Sequence, residues 1–102
     1  MKRPRKLPPE EIMLLLQELT EWQMEGNMIK REFRFQSYKA GIAFVNAVAH
    51  EADERDHHPE LLVNWRRVEV RLTTHSEQGV TMLDLNLARE VNRIASPQLE
   101  SP

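Results

Sequence analysis

Three histidines, His57, His58 and His75, are the side chains of this sequence that are best suited to chemistry. Histidine has an unperturbed pKa close to neutral pH, so it can both give and accept a proton under ordinary conditions. The chain has 102 residues, four histidines and no cysteine. A thiol nucleophile, a thiolate zinc site and a disulfide framework are therefore excluded. The pattern indicates acid–base chemistry.

A zinc site is the chief chemical alternative for the same residues. Three histidines can hold Zn²⁺ with a water in the fourth position. However, the chain has no His-x-x-x-His spacing, and the adjacent His57 and His58 would need an irregular backbone to aim at one ion. We therefore expect a site without metal.

Composition bounds the class of protein. The chain is 40% hydrophobic and 29% charged, which is typical of one small globular domain. A formal net charge of −2 is too weak to argue for nucleic acid or membrane as a general partner, and we expect neither. The alternative for the basic start of the chain is a nucleic-acid-binding arm. No segment has the ~20 apolar residues of a membrane span, and we expect no signal peptide. We predict a cytoplasmic protein with a basic tail at 1–7, one domain at 8–96 and a C-terminal tail at 97–102.

The first half of the domain predicts a helix and a hairpin. Prolines and glutamates at 8–11 suit the first turn of a helix, which the apolar spacing extends to about residue 19. Gly26-Asn27 reads as a two-residue turn that pairs Met24 with Ile29. That register places one set of apolar side chains on the same face of the sheet: Trp22, Met24, Ile29, Phe33 and Phe35.

Ser37 is a plausible N-cap for a second helix that runs from Tyr38 to about His50. This helix has two apolar stripes and must therefore be covered on two sides. The first stripe consists of Tyr38, Ile42, Val45 and Ala49. The second consists of Ala40, Phe44, Ala47 and Val48. One side can pack on a sheet, and the other is covered either by a partner subunit or within the monomer.

A second hairpin is predicted from a change of phase in the apolar pattern. Apolar residues occupy odd positions from Leu61 to Trp65 and even positions from Val68 to Leu72. The flip across Arg66-Arg67 requires a bulge or a tight turn. A two-residue turn there would place His58 opposite His75. We expect Trp65 to lie in the core.

The last segment predicts a capped helix and completes the fold. Thr81-Met82-Leu83-Asp84 has the form of a capping box, with Asp in the usual Glu position. The residues that follow form an apolar helical face: Leu87, Ala88, Val91, Ile94 and Ala95. The element order is α-β-β-α-β-β-α. We predict an α+β fold, a four-stranded antiparallel sheet with the helices packed on one face.

The run from Asp53 to Glu60, with Trp65, His75 and Asp84 at fixed distances after it, resembles the signature of the pterin-4a-carbinolamine dehydratases. Nine residues separate Trp65 from His75, and eight separate His75 from Asp84. Flanking blocks are also similar, so the resemblance extends from about Trp22 to about Ile94. A departure is Leu83, where some members of the family have Arg.

The resemblance implies a catalyst that removes water from 4a-hydroxytetrahydropterins and gives quinonoid dihydropterin. Such enzymes serve the pterin cycle of the aromatic amino acid hydroxylases, use no metal and no other cofactor, and form homodimers or homotetramers. The animal protein also binds a homeodomain transcription factor, and some relatives act in the assembly of photosynthetic enzymes. The alternative is therefore a non-catalytic binding or assembly module on the same fold.

The resemblance also implies roles for individual residues. His57, His58 and His75 are the predicted catalytic residues, with His57 and His75 as the acid–base pair and His58 holding the pterin ring. The predicted substrate-binding residues are Asp53, Asp56, Pro59, Trp65, Thr73, Thr74 and Asp84. Asp53 and Thr74 contact the pterin or orient the histidines, and Asp56 could pair with a neighbouring imidazole. In the simplest interpretation Asp84 is a first-turn helix residue.

Overall fold

Three α-helices and four strands follow one another in the predicted order α-β-β-α-β-β-α. The structure is a computed structural model and describes residues 3–100. The elements are α1 (Pro9–Leu15), β1 (Gln23–Glu25), β2 (Met28–Arg34), α2 (Tyr38–Arg55), β3 (Glu60–Val63), β4 (Arg67–Leu72) and α3 (Met82–Ala95). Short 3₁₀ turns cover Leu16–Glu18, His75–Glu77 and Ser96–Gln98. The first helix therefore ends earlier than predicted and continues as a 3₁₀ turn.

The four strands form one antiparallel sheet in the order β1-β2-β4-β3. The first hairpin has the predicted register, with Met24 opposite Ile29. Its turn requires a positive φ, which Gly26 supplies at 58°. The two central strands, β2 and β4, pair from Ile29 opposite Leu72 to Arg34 opposite Arg67, which is the whole of β4.

The helices pack on one face of this sheet, as predicted. Phe44 of α2 lies against Phe33 of β2 and against Phe35, just after that strand, with ring centroids 5.0 and 4.8 Å apart. Asn92 of α3 accepts hydrogen bonds from the Trp22 indole and the Arg31 guanidinium on the same face. The opposite face carries alternating charges, among them the ion pairs of Arg71 with Glu60 and Glu69. The fold is therefore α+β, with its core between the sheet and the helices.

Helix α2 starts where the sequence predicts and ends later. The Ser37 hydroxyl accepts a hydrogen bond from Ala40 N and caps the helix. The helix continues past His50 to Arg55 and buries one face: Gly41, Phe44, Val48 and Ala52. The stripe that begins at Tyr38 lies on the flank of this face, and Tyr38 itself is 51% exposed. One of the two apolar stripes is therefore only partly covered within the protomer.

The second hairpin turns one residue earlier than predicted. Asn64 N donates to Arg67 O at 2.8 Å, so Trp65 and Arg66 form the turn. Val63 then lies opposite Val68, and Leu61 opposite Val70. Continued along the chain, this register places His58 opposite Thr73, so the predicted opposition of His58 and His75 is wrong. The expectation that Trp65 is a core residue is also wrong, since Trp65 is 74% exposed in the turn.

Both ends of the described chain pack on the domain, which differs from the expected free tails. Leu7 is buried and its N–H donates to Val80 O at 2.8 Å. Leu99 pairs with Phe35, and Glu100 N donates to Arg34 O. The outermost positions of both predicted tails, 1–2 and 101–102, lie outside the described residues. None of the helices within residues 3–100 is long and apolar enough to cross a membrane.

Candidate functional site

The two adjacent histidines follow the end of α2, and their side chains face in different directions. Asp56 follows the helix in the left-handed conformation (φ 49°, ψ 44°), and His57 N donates back to Ala52 O at 3.0 Å. This left-handed cap turns the chain away from the helix axis. His57 then faces inward, with 11% of its side chain exposed, and His58 faces outward, with 58% exposed. The irregular backbone gives the two imidazoles different surroundings.

His57 is held by a buried carboxylate. Its Nε2 lies 2.6 Å from Oδ1 of Asp84, whose side chain is fully buried. The other oxygen, Oδ2, accepts hydrogen bonds from Thr74 Oγ1 at 2.8 Å and from Thr81 N at 2.9 Å. Thr81 Oγ1 lies 2.8 Å from Thr74 Oγ1. Because the Thr74 hydroxyl hydrogen is used toward Asp84, Thr81 donates to Thr74, and the chain of hydrogen bonds runs from Thr81 through Thr74 and Asp84 to His57.

These contacts fix the tautomer of His57. A carboxylate can only accept hydrogen bonds, so the Nε2 of His57 carries the hydrogen toward Asp84. Nδ1 is then the ring nitrogen that is not engaged by this carboxylate. The positive end of α3 favours the negative charge of Asp84 at this position. The arrangement is that of an imidazole held in place by a buried carboxylate.

His58 has a weaker support. Its Nε2 lies 2.9 Å from Oδ1 of Asp53 on the last turn of α2. Both side chains are largely exposed, and an exposed pair of this kind contributes little to stability. The pair can still orient the imidazole toward a ligand. Asp53 and Asp84, rather than Asp56, are the carboxylates that contact the two imidazoles.

The predicted hairpin would have placed His75 on a strand. In the structure His75 reaches the site from a 3₁₀ turn instead. The turn His75–Glu77 follows Thr74, whose N–H donates to Gly79 O at 2.9 Å, so the backbone closes into a short loop. Gln78 completes the loop in the left-handed region, with φ 56°. The loop places His75 beside the end of α2, even though the register of the second hairpin differs from the prediction.

The three histidines line one open cavity of about 390 Å³. Its wall consists of Pro4, Asp56, His57, His58, Thr73, Thr74, His75, Ser76 and Leu83. A neighbouring cavity of about 180 Å³ shares His58, Thr73 and His75 and extends the site toward Arg71 and Asn27. Most of the residues that line the two cavities have polar or charged side chains. Such a concave site with converging titratable groups is typical of an active site.

Most of the predicted site residues meet here, and two do not. Asp56, Thr73 and Thr74 line the larger cavity, and Asp53 and Asp84 lie behind histidines. Pro59 leads from His58 into β3 and is not among the residues that line either cavity. Trp65 lies in the turn at the far end of the hairpin, beside a different cavity with Arg34 and Arg67.

Thr81 is a member of the site that sequence reasoning missed. The capping-box pattern predicted its contact with the helix start, and the structure has both halves of that box. Its link to Thr74 depends on the tertiary fold. Within residues 3–100, no group of three or more His, Cys, Asp or Glu side chains is arranged to hold a metal ion.

Comparison with known proteins places this site in a family. The family model described as pterin 4 alpha carbinolamine dehydratase matches residues 5–94. Proteins from Sulfolobus acidocaldarius and Metallosphaera sedula, both named "Putative pterin-4-alpha-carbinolamine dehydratase", are each 43% identical to the chain over 89 residues. These matches cover 87% of the chain and 98% and 93% of the two relatives.

Two solved structures have the same fold. A crystal structure described as a transcriptional coactivator/pterin dehydratase from Brucella melitensis aligns with a TM-score of 0.86 and 39% identity, covering 89% of this chain and 99% of that one. A pterin dehydratase-like protein described as a RuBisCO assembly factor in the alpha-carboxysome aligns with a TM-score of 0.62 and 24% identity, over 72% of this chain and 86% of that one. The second likeness concerns the fold alone.

Proposed function

The chain belongs to the pterin-4a-carbinolamine dehydratase family, and we propose that it removes water from 4a-hydroxytetrahydropterins to give quinonoid dihydropterin by histidine acid–base catalysis. The observation that carries this proposal is the convergence of His57, His58 and His75 on one cavity, with His57 held by the buried Asp84. The family supports the reaction class, that of a hydro-lyase. The geometry supports the roles of the individual residues.

The reaction needs one acid and one base. The bond between C4a and the hydroxyl oxygen breaks as an acid protonates that oxygen, and the product is water. A ring nitrogen loses its proton to a base, and its electron pair forms the new C=N bond of the quinonoid product. Both proton transfers suit imidazoles that change charge near neutral pH.

His57 and His75 divide these two duties in the proposed mechanism. His57 exchanges its proton at Nδ1, because its Nε2 is bonded to Asp84. His75 lines the same cavity from a separate loop and acts on the other reacting group. The exposed His58, oriented by Asp53, binds the pterin ring. Thr73 and Asp56 provide further polar groups of the wall.

The decisive experiment is a dehydratase assay with a synthetic 4a-hydroxytetrahydropterin. We expect the purified chain to accelerate loss of the 4a-hydroxyl group, which is measured from the change in ultraviolet absorbance of the pterin. No acceleration at all would favour the alternative of a non-catalytic binding or assembly module.

The activity should survive exhaustive chelation, and the protein should carry no stoichiometric zinc, because the proposed chemistry uses imidazoles alone. Loss of activity to a chelator and its recovery with Zn²⁺ would contradict this mechanism.

A further inference from the structure

The segment at residues 3–7, here called the N-terminal strap, crosses the loop that carries His75. Leu7 anchors one end of the strap, since its side chain is buried and its N–H donates to Val80 O at 2.8 Å. Arg3 fastens the other end. Its Nε donates to Oε2 of Glu77 at 3.0 Å, and its Nη2 donates to the Ser76 carbonyl at 3.0 Å. The strap thus spans the loop from Ser76 to Val80.

The strap also contacts this loop between its two anchored ends. A Cβ built on Gly79 would lie 2.6 Å from the Lys6 side chain. The Lys6 side chain can pack there because Gly79 has no side chain. Glu77 is fixed from a second side, because Ser76 Oγ donates to the same Oε2 atom that Arg3 contacts. The loop that presents His75 is therefore held by the hairpin beneath it and by the strap above it.

The strap also forms part of the cavity. Pro4 belongs to the wall of the 390 Å³ cavity, together with His57, His58 and His75. Proline has a fixed φ and few conformations, so it makes a stiff wall at small entropic cost. The family match begins at residue 5, which leaves Arg3 and Pro4 outside it. The part of the wall that Pro4 forms therefore lies outside the residues matched by the family model.

We infer that the start of the N-terminal strap, Arg3 and Pro4, is a working part of the dehydration site: Pro4 closes one side of the substrate cavity, and Arg3 positions His75 through the turn at Ser76-Glu77. The inference rests on the proposed function, since it assigns roles within that site. Pro4 contacts substrate and so affects binding. Arg3 is a positioning residue, which acts on turnover through the loop. The two residues therefore make separate kinetic predictions.

The test compares four variants of the chain: deletion of residues 2–4, Arg3→Ala, Arg3→Lys and Pro4→Ala. Deletion and Pro4→Ala should raise KM, and should weaken binding of a 7,8-dihydropterin measured by fluorescence titration. Arg3→Ala should lower kcat by roughly fivefold, well short of the ~10²-fold loss expected for a catalytic group. Arg3→Lys should recover part of that loss, because it restores the charge opposite Glu77.

Arg5→Ala is the matched control. Arg5 lies in the same segment and carries the same charge, but it pairs with Glu11 of α1 at 2.9 Å and not with the loop. Its loss should leave KM and kcat unchanged. Glu77→Ala supplies a double-mutant cycle with Arg3→Ala, and the two losses in kcat should be non-additive if they act through one contact. Each variant should melt within a few degrees of the parent chain, which shows that a change in its kinetics is not caused by unfolding.

The outcomes separate this inference from the proposed function. If the parent chain is active and the deletion, Arg3→Ala and Pro4→Ala all leave KM, kcat and dihydropterin binding unchanged, the inference about the strap is overturned and the function stands. If the parent chain has no dehydratase activity, both fall together. If the deletion variant does not fold, the point variants decide in its place.

Discussion

At the scale of single residues, the main feature is the fully buried Asp84. Burial of a carboxylate is costly unless hydrogen bonds replace its hydration. Here Thr74, Thr81 N and His57 all reach its oxygens. Only the contact with Thr81 N is part of the helix cap. The contacts with Thr74 and His57 join the start of α3 to the cavity. Asp84 is thus better explained as a residue that positions His57 than as one that touches substrate.

Asp84→Asn should lower turnover strongly and stability moderately. An amide has one oxygen and one NH₂ group, so it cannot accept from His57 on one side and from Thr74 and Thr81 N on the other. We expect kcat to fall by ~10²-fold or more, because His57 loses its fixed tautomer. One mispaired buried group should cost about 1–3 kcal/mol of unfolding free energy. Steady-state kinetics and urea denaturation measure the two effects.

Asp53→Asn is the matched comparison for Asp84→Asn. Asp53 also contacts a histidine at 2.9 Å, but the pair is exposed to solvent. Its loss should change kcat by less than ~10-fold and leave stability almost unchanged. Equal kinetic effects of the two substitutions would show that burial of Asp84 has no special role in catalysis.

The histidines themselves should behave as one unit. Replacement of either His57 or His75 by Ala should lower turnover by ~10²-fold or more, whereas His58→Ala should act mainly on KM. Groups that share one proton-transfer sequence give non-additive losses, so the double variant should be little worse than the poorer single one. Circular dichroism checks that each variant folds. Near parental rates for His75→Ala would refute its catalytic assignment.

At the scale of elements, the start of α3 links stability to the site. The Thr81 side chain accepts from Leu83 N, and its own N–H donates to Asp84. The same hydroxyl contacts Thr74, which lies at the end of the second hairpin. A helix cap that is usually a local feature is here joined to the neighbouring β-hairpin. The positions of Asp84 and His57 therefore depend on how α3 begins.

Thr81→Ala and Ser37→Ala should separate these two kinds of cap. Ser37 caps α2 on the surface and contacts Ala40 N alone, so Ser37→Ala should cost about 1 kcal/mol and leave kcat unchanged. Thr81→Ala should cost roughly 2 kcal/mol, since the Thr74 hydroxyl and Leu83 N lose a partner. It should also lower kcat, because Thr74 is the group that joins Thr81 to Asp84. Urea denaturation and steady-state assays on both variants give the comparison. Full turnover in Thr81→Ala would contradict the proposed link.

The element pattern was largely predictable from the sequence, and its exact register was not. The alternation of apolar residues located both hairpins, and Gly26 fixed the first turn. In the second hairpin, Trp65 continues the alternation of Leu61 and Val63, so the pattern alone cannot distinguish a last strand residue from the first turn residue. The structure places Trp65 in the turn, and the register therefore shifts.

The candidate site was predictable as a set of residues, but not as a set of contacts. The spaced signature identified the histidines and Asp84. The contact between His57 and Asp84 joins residues 27 positions apart and depends on how α2 ends and α3 begins. The strap contact of Arg3 with Glu77 spans 74 positions. No local pattern announces such pairs, because they arise from the packing of whole elements.

At the scale of the whole molecule, helices cover one face of the sheet and charged side chains cover the other. Arg71, Glu60 and Glu69 belong to that charged face, which suits contact with water. The partly covered flank of α2 is different in character. It begins at the half-exposed Tyr38 and ends at the exposed Ala49. An apolar helix flank that the protomer covers only in part is a candidate surface for contact with a second copy.

We predict a homodimer or homotetramer that uses α2 or a sheet edge, and Ala49→Glu against Ala43→Glu tests the helix directly. Both alanines are exposed on the same helix, but they lie roughly 120° apart around its axis. A buried charge at the apolar flank should dissociate the assembly, so Ala49→Glu should shift light scattering toward smaller species at micromolar concentration, and Ala43→Glu should not. Equal effects of the two substitutions would move the interface to a sheet edge, where Val63→Glu on β3 is the corresponding variant. A parent chain that scatters as a monomer at micromolar concentration would refute the prediction. The partly covered flank of α2 would then be exposed to solvent in the native protein.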